Sequence, residues 1–290
     1  MSTQITTAFV EQYSSNVSML AQQMGSKLRG AVDVETIRGK NAFFDQIGAT
    51  AAVVRSTRHG ATPQIDTPHS RRRVSLADYE WADLIDDLDK VRMLTDPTSN
   101  YAKAAAAAMN RSIDDVIITA LNASADTGVA GGTAVALPSS SKFATSDQSD
   151  GLTVAKLLQS KYFLDNGNVD PSIKRYFVCG PKQIQDLLNT TEVKSSDYNT
   201  VKALAQGSIN SFLGFEFIMS TRLNMDGTHT DDRLCFAFTQ DAVKLAIGAD
   251  VKAKITERDD KSYATQVYYS MALGATRMEE EKVFQVPCDE

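Results

Sequence analysis

Three histidines, three cysteines and three pairs of adjacent aspartates carry most of this chain's capacity for catalysis or metal binding, and their spacing decides what they can do. His59, His69 and His229 lie in turn-rich segments, not at the helical spacing of metal ligands, so a metal site or a Ser-His-Asp set would need accidental convergence in the fold. Surface histidines are far commoner. Cys179, Cys235 and Cys288 are odd in number and form no Cys-x-x-Cys pair, so neither a disulfide framework nor a zinc site is indicated. Cys179 and Cys235 sit in apolar runs and are expected to be buried as small hydrophobes, and Cys288 is expected to be exposed. In Asp86-Asp87, Asp114-Asp115 and Asp259-Asp260 the neighbouring carboxylates diverge on a helix and do not converge on one bond. Gly180-Pro181-Lys182 lacks the spacing and the hydroxyl of a phosphate loop, and no Gly-x-Ser-x-Gly or His-Glu-x-x-His occurs. No catalytic, metal-binding or cofactor-binding residue is assigned, no cofactor is expected, and the chain is not read as an enzyme.

The chemistry that remains is ion pairing. Arg55, Arg58, Arg71, Arg72 and Arg73 stand against a single acid, Asp66, whereas Asp78, Glu80, Asp83, Asp86, Asp87 and Asp89 follow with no base before Lys90. Two solvated faces that neutralise each other within the chain would explain this. A basic projection with few apolar anchors does not stabilise itself, however, and identical copies could pair basic tip to acidic base in a head-to-tail ring.

These charges need elements to hold them. Ala51 to Arg58 and Arg71 to Leu76 are expected to be two strands of a hairpin with a long tip containing Gly60, Pro63, Asp66 and Pro68. Apolar positions are even at Val74 and Leu76 but odd at Tyr79 and Trp81, a parity change that a bulge would explain. Before the hairpin, Phe9, Tyr13, Val17, Leu20, Met24 and Leu28 share one stripe of an amphipathic helix ending near Gly30, which packs on its own core or docks on a neighbouring copy. After it, Asp96 is a good N-cap, Pro97 suits the first helical position, and Tyr101, Ala105, Ala108, Ser112, Val116 and Ala120 continue a stripe to about Ala123. That helix would span about 40 Å.

Residues Asn122 to Gly151 are rich in Gly, Ser, Thr and Asp and read as a linker or long surface loop at a domain boundary. Beyond it, helices at Val154 to Leu164 and Lys182 to Leu188 alternate with strands at Arg175 to Cys179, Phe215 to Met219, Leu234 to Phe238 and Val243 to Ile247. Strands at Thr265 to Met271 and Lys282 to Val286 complete an extended tail that returns to the long helix.

The 290 residues, 42% hydrophobic and 23% charged, supply enough apolar material for about two domains. No stretch approaches the roughly 20 apolar residues of a membrane span, and no signal peptide is evident, so a cytoplasmic protein is the default. A net charge of -6 argues against a protein whose task is to grip nucleic acid.

The runs Gly39-Lys40-Asn41-Ala42-Phe43-Phe44-Asp45-Gln46-Ile47-Gly48, Thr67-Pro68-His69-Ser70-Arg71-Arg72-Arg73, Tyr79-Glu80-Trp81-Ala82-Asp83-Leu84-Ile85-Asp86 and Asp96-Pro97-Thr98 resemble a family of tailed-phage major capsid proteins. The resemblance implies an α+β architecture, the Hong Kong 97-like capsid fold, with an N-terminal arm, an extended β-hairpin loop, a peripheral domain with a long spine helix, and an α/β axial domain. By analogy the arm is 1–34, the peripheral domain 35–150 and 248–290 with the loop at 49–80 and the helix at 97–123, and the axial domain 151–247. The implied function is a shell of hexamers and pentamers around double-stranded DNA, which touches the mildly acidic wall non-specifically. Its partners would be other copies, a portal and, since the chain starts directly with the arm, a separate scaffolding protein, with room for a decoration protein; there is no membrane. Its place would be the virion capsid, assembled in the bacterial cytoplasm. The subunit interface would join the five arginines to Asp83, Asp86 and Asp87 of a neighbour, with Phe9, Tyr13, Val17 and Leu20 on the arm. No lysine occurs from Asn41 to Asp89, so a lysine-to-asparagine crosslink has no nucleophile in the loop, and a non-covalent shell is expected. A cellular encapsulin-type compartment and an unrecognised α/β enzyme are the alternatives.

Overall fold

The structure, a computed structural model, describes residues 21–86, 98–143, 150–189, 211–226 and 232–290. In chain order its strands are β1 (Asp33–Thr36), β2 (Asn41–Ile47), β3 (His69–Ser75), β4 (Ala77–Ile85), β5 (Ala125–Thr127), β6 (Thr133–Val135), β7 (Arg175–Cys179), β8 (Ser211–Phe212), β9 (Phe215–Met219), β10 (Asp232–Thr239), β11 (Val243–Arg258), β12 (Ala264–Arg277) and β13 (Val283–Asp289). The described α-helices are α1 (Thr98–Asn122), α2 (Val154–Asn166) and α3 (Pro181–Asn189).

The chain divides into two compact units. The larger comprises Lys27–Ala77, Ile113–Gly248 and Leu273–Glu290. Its five-stranded sheet has the order β13-β10-β7-β9-β8, with β7 parallel to β9 and antiparallel to β10. β7 is buried at every residue, as a central strand covered on both faces must be. Phe177, Phe215, Phe236, Phe238 and Phe284 fill the core around it. The last strand, β13, pairs antiparallel with β10 in this sheet. That pairing corrects one expectation: Cys288 is fully buried like Cys179 and Cys235, because its strand is internal to the packing despite lying near the end of the sequence. Burial pushes the Cys179 thiol up to about 12, so none of the chemistry of a reactive thiolate is on offer there.

The same unit holds a four-stranded sheet of order β2-β3-β5-β6. Its first strand is Asn41–Ile47, not the expected Ala51 to Arg58; Ile47 pairs with His69 and Asn41 with Ser75. Strand propensity in Ala51 to Val54 finds no partner among the described residues, whereas Phe44 faces a core. The expected linker is also corrected, since β5 and β6 form a tight hairpin that pairs through Arg72↔Thr127 and Arg73↔Asp126 with β3. The parity change after Leu76 is a change of sheet: β3 and β4 belong to different sheets, and the Leu76 N–H donates to the Lys40 carbonyl at 3.0 Å. Gly274 permits this crossing, since a Cβ there would lie 2.3 Å from the Ser75 carbonyl oxygen.

The smaller unit comprises Asp78–Ser112, Ala249–Ala272 and the described part of Met1–Ser26. Of the expected stripe on α1, Ala105 and Ala120 are buried, whereas Tyr101, Ala108, Ser112 and Val116 are half-buried, because the larger Met109, Ile113, Ile117 and Leu121 take the inner face. Residues 21–28 are not the end of a helix. The Lys27 and Leu28 amides, which a helix would direct at carbonyls four residues back, donate at 3.1 Å to the buried Asp114 carboxylate. Asp115 turns the other way onto Arg222, so this acid pair diverges as its helical spacing requires.

Candidate assembly surface

Strand alternation sorts the three arginines of β3. Arg72 and Val74 point inward, and Arg71 and Arg73 point outward. Val74 joins Ile37, Phe44, Ala246 and Met278 in a small core flanked by Ala42 and Leu76. Beside it the Arg72 Nη2 donates at 2.7 Å to both carboxylate oxygens of Glu280, and its Nε donates to the Met278 carbonyl at 2.9 Å. Glu280 also lies 3.7 Å from Arg277, whose side chain is wholly buried. Desolvation holds the Arg277 guanidinium below its ordinary range, with the Arg72 charge lowering it further and Glu280 opposing.

On the outer face Arg71 donates to Asp45 at 2.6 Å and lies 5.3 Å over the Phe43 ring. That hydrogen bond holds the Asp45 carboxyl below its ordinary range. Arg73 donates to Asp126 at 2.6 Å. Its stem crosses Gly131, where a positive φ of 65 and the absence of Cβ leave it room.

Between Ile47 and His69 the chain leaves the sheet. The Gly48 N–H donates to the Pro68 carbonyl at 2.8 Å and closes the base. Every residue from Gly48 to Asp66 is exposed, including Val53 at 61% and Val54 at 90%. The Arg55 Nε donates to the Thr57 carbonyl two residues on at 3.0 Å, and His59 takes a left-handed turn conformation. Neither Arg55 nor Arg58 has an acidic partner among the described residues. Five arginines close in sequence thus fall into three with acidic partners inside the chain and two without one among the described residues.

Of the acids, Asp83 is half-buried and its carboxylate accepts from the Leu84 N–H at 2.8 Å, and Asp86 is exposed at the end of β4. Glu80 accepts from the Tyr268 hydroxyl at 2.9 Å. None of the five arginines pairs with Asp83 or Asp86 among the described residues. Asp87, Phe9, Tyr13, Val17, Leu20 and His229 lie outside the described residues. Sequence reasoning missed Asp45, Asp126 and Glu280 as partners. Asp45 was within reach, since pairing Asn41–Ile47 with His69–Ser75 sets it opposite Arg71, but Asp126 and Glu280 are brought in from distant segments with no local signal. Among the described residues no cluster of His, Cys, Asp and Glu could hold a metal, and no helix is long and apolar enough to cross a membrane.

The model of a family described as phage capsid protein matches residues 5–290. Among curated proteins none matches the chain. Solved capsids share its fold over nearly their whole length. The capsid chain of cyanophage Pam1 has a TM-score of 0.74 at 13% identity, covering 98% of this chain and 97% of that one. That of cyanophage P-SCSP1u has a TM-score of 0.73 at 16% identity, covering 97% and 93%. A Mycobacterium phage Che8 chain has a TM-score of 0.70 at 17% identity, covering 96% and 97%. The fold is therefore the α+β, Hong Kong 97-like capsid fold, and the encapsulin reading is not favoured. With the family match spanning all but the first residues and the fold shared along whole capsid chains, this chain belongs to the phage capsid protein family and is a major capsid protein, a subunit of the virion shell.

Proposed function

We propose that copies of this chain form hexamers and pentamers held by a non-covalent clasp, in which the exposed 48–66 segment of one copy reaches an acidic surface of the next. Arg55 and Arg58 are the basic half. Asp83, Asp86 and Asp87 are the acidic half, and an arm bearing Phe9, Tyr13, Val17 and Leu20 adds apolar contact. The observation that carries this reading is that 19 consecutive residues, Gly48 to Asp66, are exposed in the isolated chain while including Val53, Val54 and two arginines without an acidic partner among the described residues. With no cover among the described residues, a segment of that length and composition gains burial by reaching another molecule.

In this reading the peripheral domain is 35–150 with 248–290 and the axial domain 151–247. The shell encloses double-stranded DNA, assembles in the host cytoplasm with a separate scaffolding protein and a portal, leaves room for a decoration protein, and catalyses nothing. The role is structural, as the family is. The test is assembly of Arg55→Glu/Arg58→Glu: a folded monomer with an unchanged melting temperature and no shells is expected, and normal shells would remove the loop from the clasp. Denaturing electrophoresis of mature particles is expected to give a single monomer band, because the loop holds no lysine.

A further inference from the structure

Arg277 sits where α1 ends. Its Nη1 donates to the Leu121 and Ala123 carbonyls at 3.2 and 2.7 Å, and its Nη2 donates to the Val135 carbonyl of β6 at 3.0 Å. A guanidinium at a helix C-terminus satisfies carbonyls that have no partner within the helix and meets the negative end of its dipole. The other side of that guanidinium faces Glu280 at 3.7 Å, and Glu280 is gripped by Arg72 of β3. The Ser141 hydroxyl donates to the Glu280 carbonyl at 3.2 Å and fixes the backbone that presents the carboxylate. The end of the long helix is thereby joined to the strand that carries the exposed loop, through two cations and one anion.

Buried ion sets of this kind contribute little net stability, since desolvation offsets most of the attraction. What they do well is select one arrangement, because any shift of strand against helix leaves a buried charge unpaired. Apolar packing alone would tolerate such a shift. In a protein that must close a shell, the direction in which the loop leaves the subunit sets where the next copy sits.

We propose that Arg72, Glu280 and Arg277 are positioning residues for assembly: they lock the departure angle of the loop to the end of α1, and so set the curvature of the shell. This rests on the clasp reading above. The test is the full chain carrying Arg72→Met/Glu280→Gln, expressed with its assembly partners, against a control, Val74→Ala, which weakens the neighbouring core and leaves the ion set intact. The double variant, which leaves the buried Arg277 without its carboxylate, is expected to fold but melt lower than the wild type, and to lose most closed shells of wild-type diameter to open sheets or mixed sizes in electron micrographs. Val74→Ala is expected to melt lower and still close normal shells. Normal shells from the double variant, or equal loss of shells from Val74→Ala, overturn the proposal. The clasp would still stand, because Arg55→Glu/Arg58→Glu tests it separately. Should the double variant fail to fold, Arg72→Lys keeps the charge but removes the planar guanidinium; it is expected to broaden the diameter distribution, and an unchanged distribution overturns the proposal equally.

Discussion

Arg71, Arg72 and Arg73 on β3 and Arg55 and Arg58 in the tip are one basic stretch by composition, yet the two groups do different work. On β3 each guanidinium meets a carboxylate of its own chain, at 2.6 Å for Arg71 and Arg73 and 2.7 Å for Arg72. In the tip the described residues offer Arg55 a backbone carbonyl and no carboxylate. Charge clustering in a sequence therefore says that ions will be paired, and strand pairing says where. The β3 group fixes the base of the hairpin; the tip group has no carboxylate partner among the described residues.

The sharpest way to break this comparison is to remove one arginine from each group. Arg72→Ala leaves Glu280 without its closest cation and opens space beside Val74, and should cost about 3 kcal/mol in urea unfolding. Arg55→Ala should stay within about 0.5 kcal/mol. Equal costs would erase the distinction between base and tip.

Glycine substitutions sharpen the same contrast in the backbone. Gly274→Ala drives a Cβ against the Ser75 carbonyl at the end of β3 and should cost about 1–3 kcal/mol by thermal unfolding. Gly60→Ala in the tip crowds the Thr57 hydroxyl, which can turn aside, and touches the Thr57 carbonyl at an ordinary 3.6 Å, so it should cost less than about 0.5 kcal/mol.

The outer arginines of β3 form half-exposed pairs, so Arg73→Ala should cost at most about 1 kcal/mol, Arg71→Ala less than that, and both less at high salt. The smallest effect belongs to pH. Because the Arg71 hydrogen bond lowers the Asp45 pKa, the pair stabilises the fold above the ordinary carboxyl range and loses that contribution as pH falls through the lowered value. NMR titration should place Asp45 below a free aspartate and return it to the ordinary range in Arg71→Gln.

Much of the fold was legible where local signals and burial agree. Pro97 with the following apolar period marks α1, and the apolar run Tyr176 to Cys179 marks a central strand. The hairpin was mislocated because Ala51 to Val54 has strand propensity but no strand to pair with among the described residues, while Asn41–Ile47 hides its alternation behind Asp45 and Gln46. The Gly- and Ser-rich segment after α1 passed for a linker because β5 and β6 are held by β3 and by Arg277, neither of them near in sequence. The arginines were found as a group, but their division depended on Glu280, Asp126 and Asp45, and only the last had any signature in the chain.

The most direct test is a high-resolution cryo-EM map of the assembled shell. Arg55 and Arg58 are expected within ion-pair reach, about 4 Å, of acidic residues on an adjacent copy, with Arg72 still on Glu280 of its own chain. A tip left in solvent, or Arg72 transferred to a neighbour, would contradict that arrangement.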